Sequence, residues 1–167
     1  DGAIDAAVVV NAAGPFAARV AAMAGVEQHV RPVRQHLFRC DLPRTWPYRF
    51  PMVVDPGGVH WRHDDATTPG GPDRIVVART RHDEPEGENF ECDESRWLAD
   101  FRPDLVRRMP AFRDARMVEG WAGLYEMTPD HNPTIGEHPD LPGFFVANGF
   151  SGHGLMMAPA TGKVMSE

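Results

Sequence analysis

The sequence predicts an α/β lobe into which an antiparallel β-sheet is inserted, and two observations support this prediction. A strand, a small-residue turn and a helix follow one another near each end of the chain, at residues 6–24 and 144–167. That order is typical of α/β domains. Residues 29–127 instead carry short β-forming runs between turns rich in proline and glycine, which indicates an antiparallel sheet. We therefore assign residues 1–28 and 128–167 to one lobe and residues 29–127 to another.

The first α/β segment begins with the Val-rich run at residues 6–10, which predicts a buried strand. Residues 11–14 are small and predict a tight turn. Pro15 suits the first position of a helix, and Gly25 suits the position just after its end. The second segment repeats this order, with a buried strand at residues 144–147 and a glycine-rich turn before an apolar helical run.

The inserted part of the chain is predicted to form several strands and one helix. Apolar residues recur at helical spacing over residues 94–109, and Pro103 bends or breaks that helix. Trp97 and Phe101 are interpreted as core residues of this helix. The predicted strands lie at residues 30–40, 52–54, 59–61, 74–78 and 117–127.

The composition indicates a folded protein and argues against two classes of partner. Hydrophobic residues make up 42% of the chain, and the formal net charge is −7. An acidic chain without a basic stripe is not typical of nucleic-acid binding, and no apolar run approaches the ~20 residues of a membrane span. Cys40 and Cys92 have no metal-ligand or CxxC spacing, so we expect reduced thiols and a cytoplasmic protein.

The sequence also indicates a fragment of a longer protein. It has no initiator Met, and a helical pattern is still running at its last three residues. No GxGxxG follows a predicted strand, so we expect the nucleotide-binding half of the α/β lobe to be missing. Such a fragment is expected to be inactive alone.

The most informative local pattern is Gly149-x-x-Gly152-x-Gly154 at the start of a predicted helix. Glycine lets the backbone approach a ligand and adopt positive φ angles. The first helical turn presents unpaired N–H groups and a partial positive charge, which favour an anion or an electron-rich carbonyl edge. The small residues 11–14 leave similar room after the other strand. Each pattern alone is also compatible with a tight turn or with close helix–strand packing.

The histidines do not predict a metal site. His60 and His63 lie three positions apart on a predicted strand, so their side chains should point to opposite faces. We therefore expect no bound metal. His29, His36 and His82 are interpreted as solvent-exposed residues.

Three segments, residues 8–17, 120–136 and 145–154, follow one another in an order that resembles FAD-dependent amine oxidoreductases of the D-amino-acid oxidase and sarcosine oxidase family. Residues 8–17 (VVVNAAGPFA) are similar to a strand, turn and helix of the FAD domain. Residues 120–136 (GWAGLYEMTPDHNPTIG) are similar to a strand and loop over the flavin. Residues 145–154 (FVANGFSGHG) closely resemble the C-terminal flavin-binding turn. Together the three motifs span nearly the whole chain and are more specific than any one alone.

The resemblance implies a partial, Rossmann-like FAD-binding lobe and an antiparallel sheet that roofs the substrate over the flavin. The implied reaction removes hydride from the C–H bond beside an amine nitrogen and transfers it to FAD. Tyr125 and His60 are the implied catalytic residues, and the strand of His60 and Trp61 would contribute to the roof. The implied cofactor-binding residues are Asn11, Ala12, Ala13, Gly14, Gly149, Ser151, Gly152, His153, Gly154, Leu155 and Met156.

Three positions depart from the family pattern. Gly123 stands where some sarcosine oxidases carry the cysteine that tethers FAD, so we expect non-covalent FAD. Met156 and, in a looser alignment, Val76 stand where oxidases place a lysine. Loss of positive charge there should weaken the reaction with oxygen. We therefore favour a dehydrogenase that uses another electron acceptor over an oxidase.

The substrate and even the catalytic role remain open at the level of sequence. N-methyl amino acids such as sarcosine or dimethylglycine are our first choice, and a primary D-amino-acid or glycine oxidase is the second. Arg62, Arg79 and Arg81 are candidates for binding a substrate carboxylate. The alternatives are a non-catalytic binding or assembly protein on the same fold, and a small α+β binding module without a cofactor.

Overall fold

The structure, a computed structural model, describes residues 2–64, 72–81 and 83–167. It divides into two compact units. The first comprises Asp1–Val33, Pro85–Glu88 and Leu124–Glu167, and the second comprises Arg34–Glu84 and Asn89–Gly123. Within the first unit, the Gly87 N–H of the short stretch at residues 85–88 donates to the Pro32 carbonyl oxygen at 2.9 Å.

The described strands are β1 (Val9–Asn11), β2 (Arg31–Asp41), β3 (Val53–Val54), β4 (Val59–His63), β5 (Arg74–Arg79), β6 (Arg116–Met127), β7 (Thr134–Glu137) and β8 (Phe144–Asn148). The described α-helices are α1 (Ala17–Met23), α2 (Arg102–Arg108) and α3 (Gly154–Ser166). Shorter helical segments are the 3₁₀ turns Gly14–Phe16 and Pro110–Asp114 and the π-helical turn Trp97–Phe101.

A three-stranded sheet in the order β1-β8-β7 forms the centre of the first unit. Strand β1 runs parallel to β8, with Val9 opposite Phe144 and Asn11 opposite Val146, whereas β7 is antiparallel to β8. Ala21 of α1 packs with Phe144 and Val146 in the buried core. Because parallel strands end at the same edge of a sheet, the turns after β1 and β8 lie side by side. Both predicted strand–turn–helix segments are confirmed.

Two details of this sheet differ from the sequence expectations. The strand predicted as buried is half exposed, since Val8, Val9 and Val10 are 54%, 49% and 51% exposed. Strand β1 is an edge strand whose described neighbour is β8, and an apolar run does not reveal how many neighbours a strand has. Strand β7 was not predicted, because Pro133 and Gly136 give its sequence the appearance of a loop.

A five-stranded sheet in the order β3-β4-β5-β2-β6 forms the second unit. The pairs β3–β4, β4–β5 and β5–β2 are antiparallel, as predicted. The buried core lies on the face that carries Phe38 and Val77, packed against Trp97, Phe101 and Leu105. The rings of Phe38 and Phe101 meet edge to face at 4.8 Å. The prediction that Trp97 and Phe101 are core residues is confirmed.

The two faces of β4 differ sharply. Val59, Trp61 and His63 are at most 5% exposed and face the core, whereas His60 and Arg62 lie on the other face. Trp61 packs edge to face against Phe112 at 5.7 Å. Side chains alternate along a strand, so Trp61 cannot share the open face with His60. The Trp61 side chain therefore belongs to the core, and a contribution of His60 and its strand to a substrate roof stays a prediction.

The expectation that His36 is solvent-exposed is wrong, whereas His29 is exposed and His82 lies outside the described residues. His36 is 2% exposed. In the described part of the chain, neither of its ring nitrogens has a hydrogen-bond partner. Burial is the main cause that lowers the pKa of His36, and the nearby Arg34 lowers it further. His36 is therefore a neutral imidazole inside the second unit.

Replacement of His36 by leucine should stabilise the protein by about 1 kcal/mol at pH 8, since it removes two unpartnered buried nitrogens. The substitution should also reduce the dependence of the melting temperature on pH. The pKa of His36 is near 6.5 in the unfolded chain and lower in the folded chain. The free energy of unfolding of the wild type therefore has its full value above pH 6.5 and decreases as the pH falls below it. Melting temperatures at pH 8 and pH 5.5 test both effects. His29→Gln, a change at an exposed site, should keep the wild-type slope; an equal slope in His36→Leu would contradict the prediction.

Candidate functional site

The turns after β1 and β8 line a common groove in the first unit, with a volume of about 450 Å³. This volume is typical of small-molecule pockets. Ala12 and Gly14 contribute from the first turn, and Phe150 and Gly154 from the second. The remaining lining residues are Glu126 of β6, Ala147 of β8, and Ala158, Thr161, Gly162 and Met165 of α3.

Two buried asparagines fasten the strand ends that support this groove. The Asn11 side-chain amide donates to the Ala17 carbonyl oxygen at 2.9 Å, and its side-chain oxygen accepts from the Ala13 N–H. The fully buried Asn148 donates to the Asn11 carbonyl oxygen at 3.3 Å. These bonds fix the small-residue turn to the end of β8. Asn148 was not among the predicted site residues.

Three residues of the turn at residues 149–154 have a left-handed backbone conformation. Gly149 has φ +80°, Ser151 has φ +51° and Gly152 has φ +94°. Ser151 adopts this conformation without being glycine, which indicates a constraint imposed by its surroundings. Its buried hydroxyl donates to the Gly149 carbonyl oxygen at 3.2 Å and accepts from the Thr128 N–H at 3.4 Å.

Helix α3 begins in the groove at Gly154. The first N–H groups of a helix have no partner within the helix. Among the described residues, no side chain caps this end, because His153 at the N-cap makes no side-chain hydrogen bond to it. The N–H groups of Gly154, Leu155 and Met156 therefore combine with the helix dipole to form an electropositive end to the groove.

Tyr125 and Glu126, adjacent on β6, both contact this glycine turn. A Cβ added to Gly152 would lie 2.5 Å from the Tyr125 ring, so the ring packs directly on the Gly152 backbone. The Glu126 side chain accepts a hydrogen bond from the Gly149 N–H at 3.0 Å. Tyr125 was predicted as a site residue, and Glu126 was missed because a glutamate on a strand reads as a surface residue.

The structure brings together only part of the predicted cofactor-binding set. Ala12, Gly14 and Gly154 line the groove, and Asn11, Ala13, Gly149, Ser151, Gly152 and His153 belong to the turns that shape it. The side chains of Leu155 and Met156 are 94% and 72% exposed. Any contribution of these two residues to binding at the groove would therefore come from their backbone N–H groups.

The open face of the sheet in the second unit carries a separate cavity of about 200 Å³. His60 lines it, and its Nδ1 lies 3.1 Å from the Gly58 carbonyl oxygen. A carbonyl oxygen only accepts, so Nδ1 is the donor in this contact, and in the neutral tautomer that results Nε2 is an acceptor. Other lining residues are Leu37, Arg39, Met52, Trp61, Arg62, Asp64, Val76, Ala78 and Trp121.

The three predicted carboxylate-binding arginines have different surroundings. Arg79 pairs with Asp104 at 2.7 Å, and Arg81 pairs with Asp83 and Asp100. Arg62 lines the cavity of the open face and donates to the His63 carbonyl oxygen. Arg39, which sequence reasoning missed, also lies there, paired with Asp64 and stacked over Trp121. Of the three candidates, only Arg62 faces this cavity.

Metal-ligand clusters and membrane-spanning helices are both absent from the described residues. In the described ranges, no three or more His, Cys, Asp or Glu side chains cluster in a way that could hold a metal ion. Within the same ranges, every helix falls short of the length and apolar character that a membrane span requires.

Comparison with known protein families gives the groove its context. The sequence profile of the FAD dependent oxidoreductase family, DAO, matches residues 1–167. The chain belongs to this family. The match confirms the family resemblance, the partial α/β lobe with its antiparallel sheet, and the relation to flavoproteins.

Individual relatives match almost the whole of this chain, but the match takes in only part of each relative's own length. The Bos taurus protein "FAD-dependent oxidoreductase domain-containing protein 1" is 32% identical over 176 residues, which are 98% of the chain and 36% of that protein. Glycine oxidase from Geobacillus kaustophilus is 27% identical over 99% of the chain and 41% of its own length. The chain thus spans about two fifths or less of these relatives.

Among solved structures, L-proline dehydrogenase from P. horikoshii superposes with a TM-score of 0.83 at 27% identity. The superposition covers 96% of this chain and 41% of that structure. The groove fits a flavin ring, since its small residues leave room for a flat ring and the uncapped end of α3 suits its electron-rich edge.

Proposed function

We propose that these residues form part of a flavoenzyme that oxidises the C–N bond of a small amine or amino acid. The groove shared by the turns after β1 and β8 is the observation that supports it. Ala12, Gly14 and Gly154, three of the residues that the family resemblance implicates in flavin binding, line that groove. FAD, once bound, would accept the hydride from the C–H bond beside the amine nitrogen.

We propose that the first unit binds FAD without a covalent bond. The N–H groups of Gly154, Leu155 and Met156 would hold the electron-rich edge of the ring through the positive end of α3. The groove lining contains no cysteine among the described residues, and Gly123 has no thiol to offer. Both cysteines lie in the second unit, where burial raises the pKa of the Cys40 thiol to about 12.

The open face of the second unit would receive the substrate. His60 offers Nε2 as an acceptor for the proton of the substrate amine. Arg62 would bind the carboxylate of an amino acid through charge-assisted hydrogen bonds. In the first unit, Tyr125, whose ring supports Gly152, would be the second catalytic residue.

A secondary or tertiary amine is the preferred substrate class, with sarcosine and dimethylglycine as the first candidates. Similarity to an L-proline dehydrogenase favours a secondary amine over a primary amine. We also favour a dehydrogenase over an oxidase. Lys163, the sole lysine of the sequence, has an exposed side chain near Glu167, so none stands at the positions of Met156 or Val76. Two reduced cysteines favour a cytoplasmic protein.

The test is anaerobic reduction of the flavin in the intact gene product. The purified protein should show a flavin absorbance spectrum and release FAD on denaturation. Addition of sarcosine, dimethylglycine or proline should reduce the flavin and bleach its absorbance. Bleaching by glycine or D-alanine alone would instead favour the oxidase alternative, as would rapid peroxide formation in air. A flavin that stays oxidised with every amine would favour a binding or assembly role, and a protein without flavin would refute the proposal.

Replacement of Arg62 by methionine should raise the amino-acid concentration that half-reduces the flavin roughly tenfold. Loss of a charge-assisted hydrogen bond costs about 1.5–3 kcal/mol, and 1.4 kcal/mol corresponds to tenfold. Titration of flavin absorbance measures the effect. Arg79→Met, which removes an arginine that is paired with Asp104, is the control and should leave that concentration unchanged. Equal effects of both variants would exclude a specific role of Arg62.

A further inference from the structure

Glu126 contacts both turns of the groove. Its Oε2 accepts a hydrogen bond from the Gly149 N–H at 3.0 Å, and the same atom lies 3.7 Å from the position of a Cβ on Gly14. Gly14 and Gly149 both have positive φ, at +55° and +80°. The carboxylate thus lies between the two left-handed backbone positions that shape the groove.

The main chain of Glu126 holds the second turn as well. Its carbonyl oxygen accepts a hydrogen bond from the Ser151 N–H at 3.2 Å. One residue of β6 therefore binds the turn at Gly149 through its side chain and at Ser151 through its backbone. Only the first of these two contacts depends on the identity of the side chain, which makes it accessible to substitution.

The Glu126 carboxylate also brings a negative charge to the groove. It lines the cavity, and no lysine, arginine or histidine of the described chain forms an ion pair with it. A negative charge beside a redox group disfavours the gain of electrons by that group. Its effect opposes that of the α3 N-terminus, which begins in the same groove at Gly154.

We propose that Glu126 is a positioning residue that ties the glycine turn in place and lowers the reduction potential of the FAD bound in the groove. This inference rests on the proposed function. The two roles separate by chemistry: the hydrogen bond needs only an acceptor oxygen, whereas the effect on the potential needs the charge. Glu126→Gln keeps an acceptor oxygen and loses the charge, and Glu126→Ala loses both.

The experiment compares these variants in the intact gene product. In the FAD-free protein, Glu126→Ala should lower the melting temperature and Glu126→Gln should leave it near the wild-type value. In the FAD-loaded protein, equilibration with a redox dye should show at least a tenfold shift toward reduced flavin for Glu126→Gln, which is about 30 mV for a two-electron couple. FAD fluorescence titration should show weaker binding for Glu126→Ala.

Glu137 provides a matched control in the same unit. It also accepts a glycine N–H, that of Gly143 at 2.7 Å, but it does not line the groove. Glu137→Gln should leave the flavin potential unchanged.

The outcomes separate this inference from the proposed function. If Glu126→Gln binds FAD at the wild-type potential, the electrostatic role is wrong while the flavoenzyme proposal stands. If the FAD-free Glu126→Ala protein melts like the wild type, the positioning role is wrong. If neither the wild type nor any variant binds FAD, the proposed function and the electrostatic role both fail. The melting temperatures of the FAD-free proteins then still test the positioning role of Glu126.

Discussion

Replacement of Gly149 by alanine should destabilise the protein by about 3 kcal/mol and weaken FAD binding. A Cβ on Gly149 would lie 2.3 Å from the Thr128 Cγ2 atom, and the backbone at Gly149 has φ +80°. A left-handed conformation costs a residue with a side chain about 1–2 kcal/mol, and overpacking typically costs about 1–3 kcal/mol. Urea denaturation of the intact protein, with and without FAD, measures both effects.

A second substitution separates the two causes. Thr128→Ser removes the Cγ2 methyl group but keeps the hydroxyl, which donates to the Asn132 carbonyl oxygen at 2.8 Å. The double variant should therefore recover the steric part of the loss and retain a deficit of about 1–2 kcal/mol from the backbone. Gly162→Ala, where an added Cβ meets no atom within 4 Å, should be neutral or stabilising. A Gly149→Ala protein as stable as Gly162→Ala would refute this account of the turn.

The helices, the turns and most strands were predictable from the sequence, because they depend largely on residues that are close together in the chain. Pro15 and Gly25 marked the ends of the first helical segment, and Gly25 indeed has φ +78° after α1. The antiparallel strands followed from β-forming runs between turns. Strand β7 escaped prediction because Pro133 and Gly136 break up a run that is held as a strand by pairing with β8. Pairing between distant segments is not visible in local sequence.

Burial was harder to predict than secondary structure. The alternation of buried side chains in β2 changes phase at residues 35 and 36, so that Gln35 and His36 are both buried. No simple period of two reveals such a shift. Chemical type then misled the interpretation, since histidine is more often exposed than buried. Glu126 was missed for a similar reason, since glutamate is usually an exposed residue. Its hydrogen-bond partner Gly149 lies 23 residues further along the chain.

The turn at residues 149–154 was predicted from its glycines, but its conformation also involves a serine with a left-handed backbone. Ser151 is 4% exposed and has φ +51°, a conformation that costs a non-glycine residue about 1–2 kcal/mol. Its hydroxyl compensates by binding the Gly149 carbonyl oxygen and the Thr128 N–H. At this position the side-chain hydrogen bonds stabilise the folded protein and the backbone strain destabilises it. Substitutions that change one or both effects can measure each of them.

Ser151→Ala should cost about 2 kcal/mol, because it keeps the strained backbone and leaves two buried backbone groups without their partner. Ser151→Gly loses the same hydrogen bonds but relieves the strain, so it should cost only about 1 kcal/mol. Melting temperatures of the intact protein give the order. Ser166, an exposed residue in the last turn of α3, is the control, since alanine should exceed glycine in stability there. If alanine also exceeds glycine at position 151, the left-handed serine is not under strain.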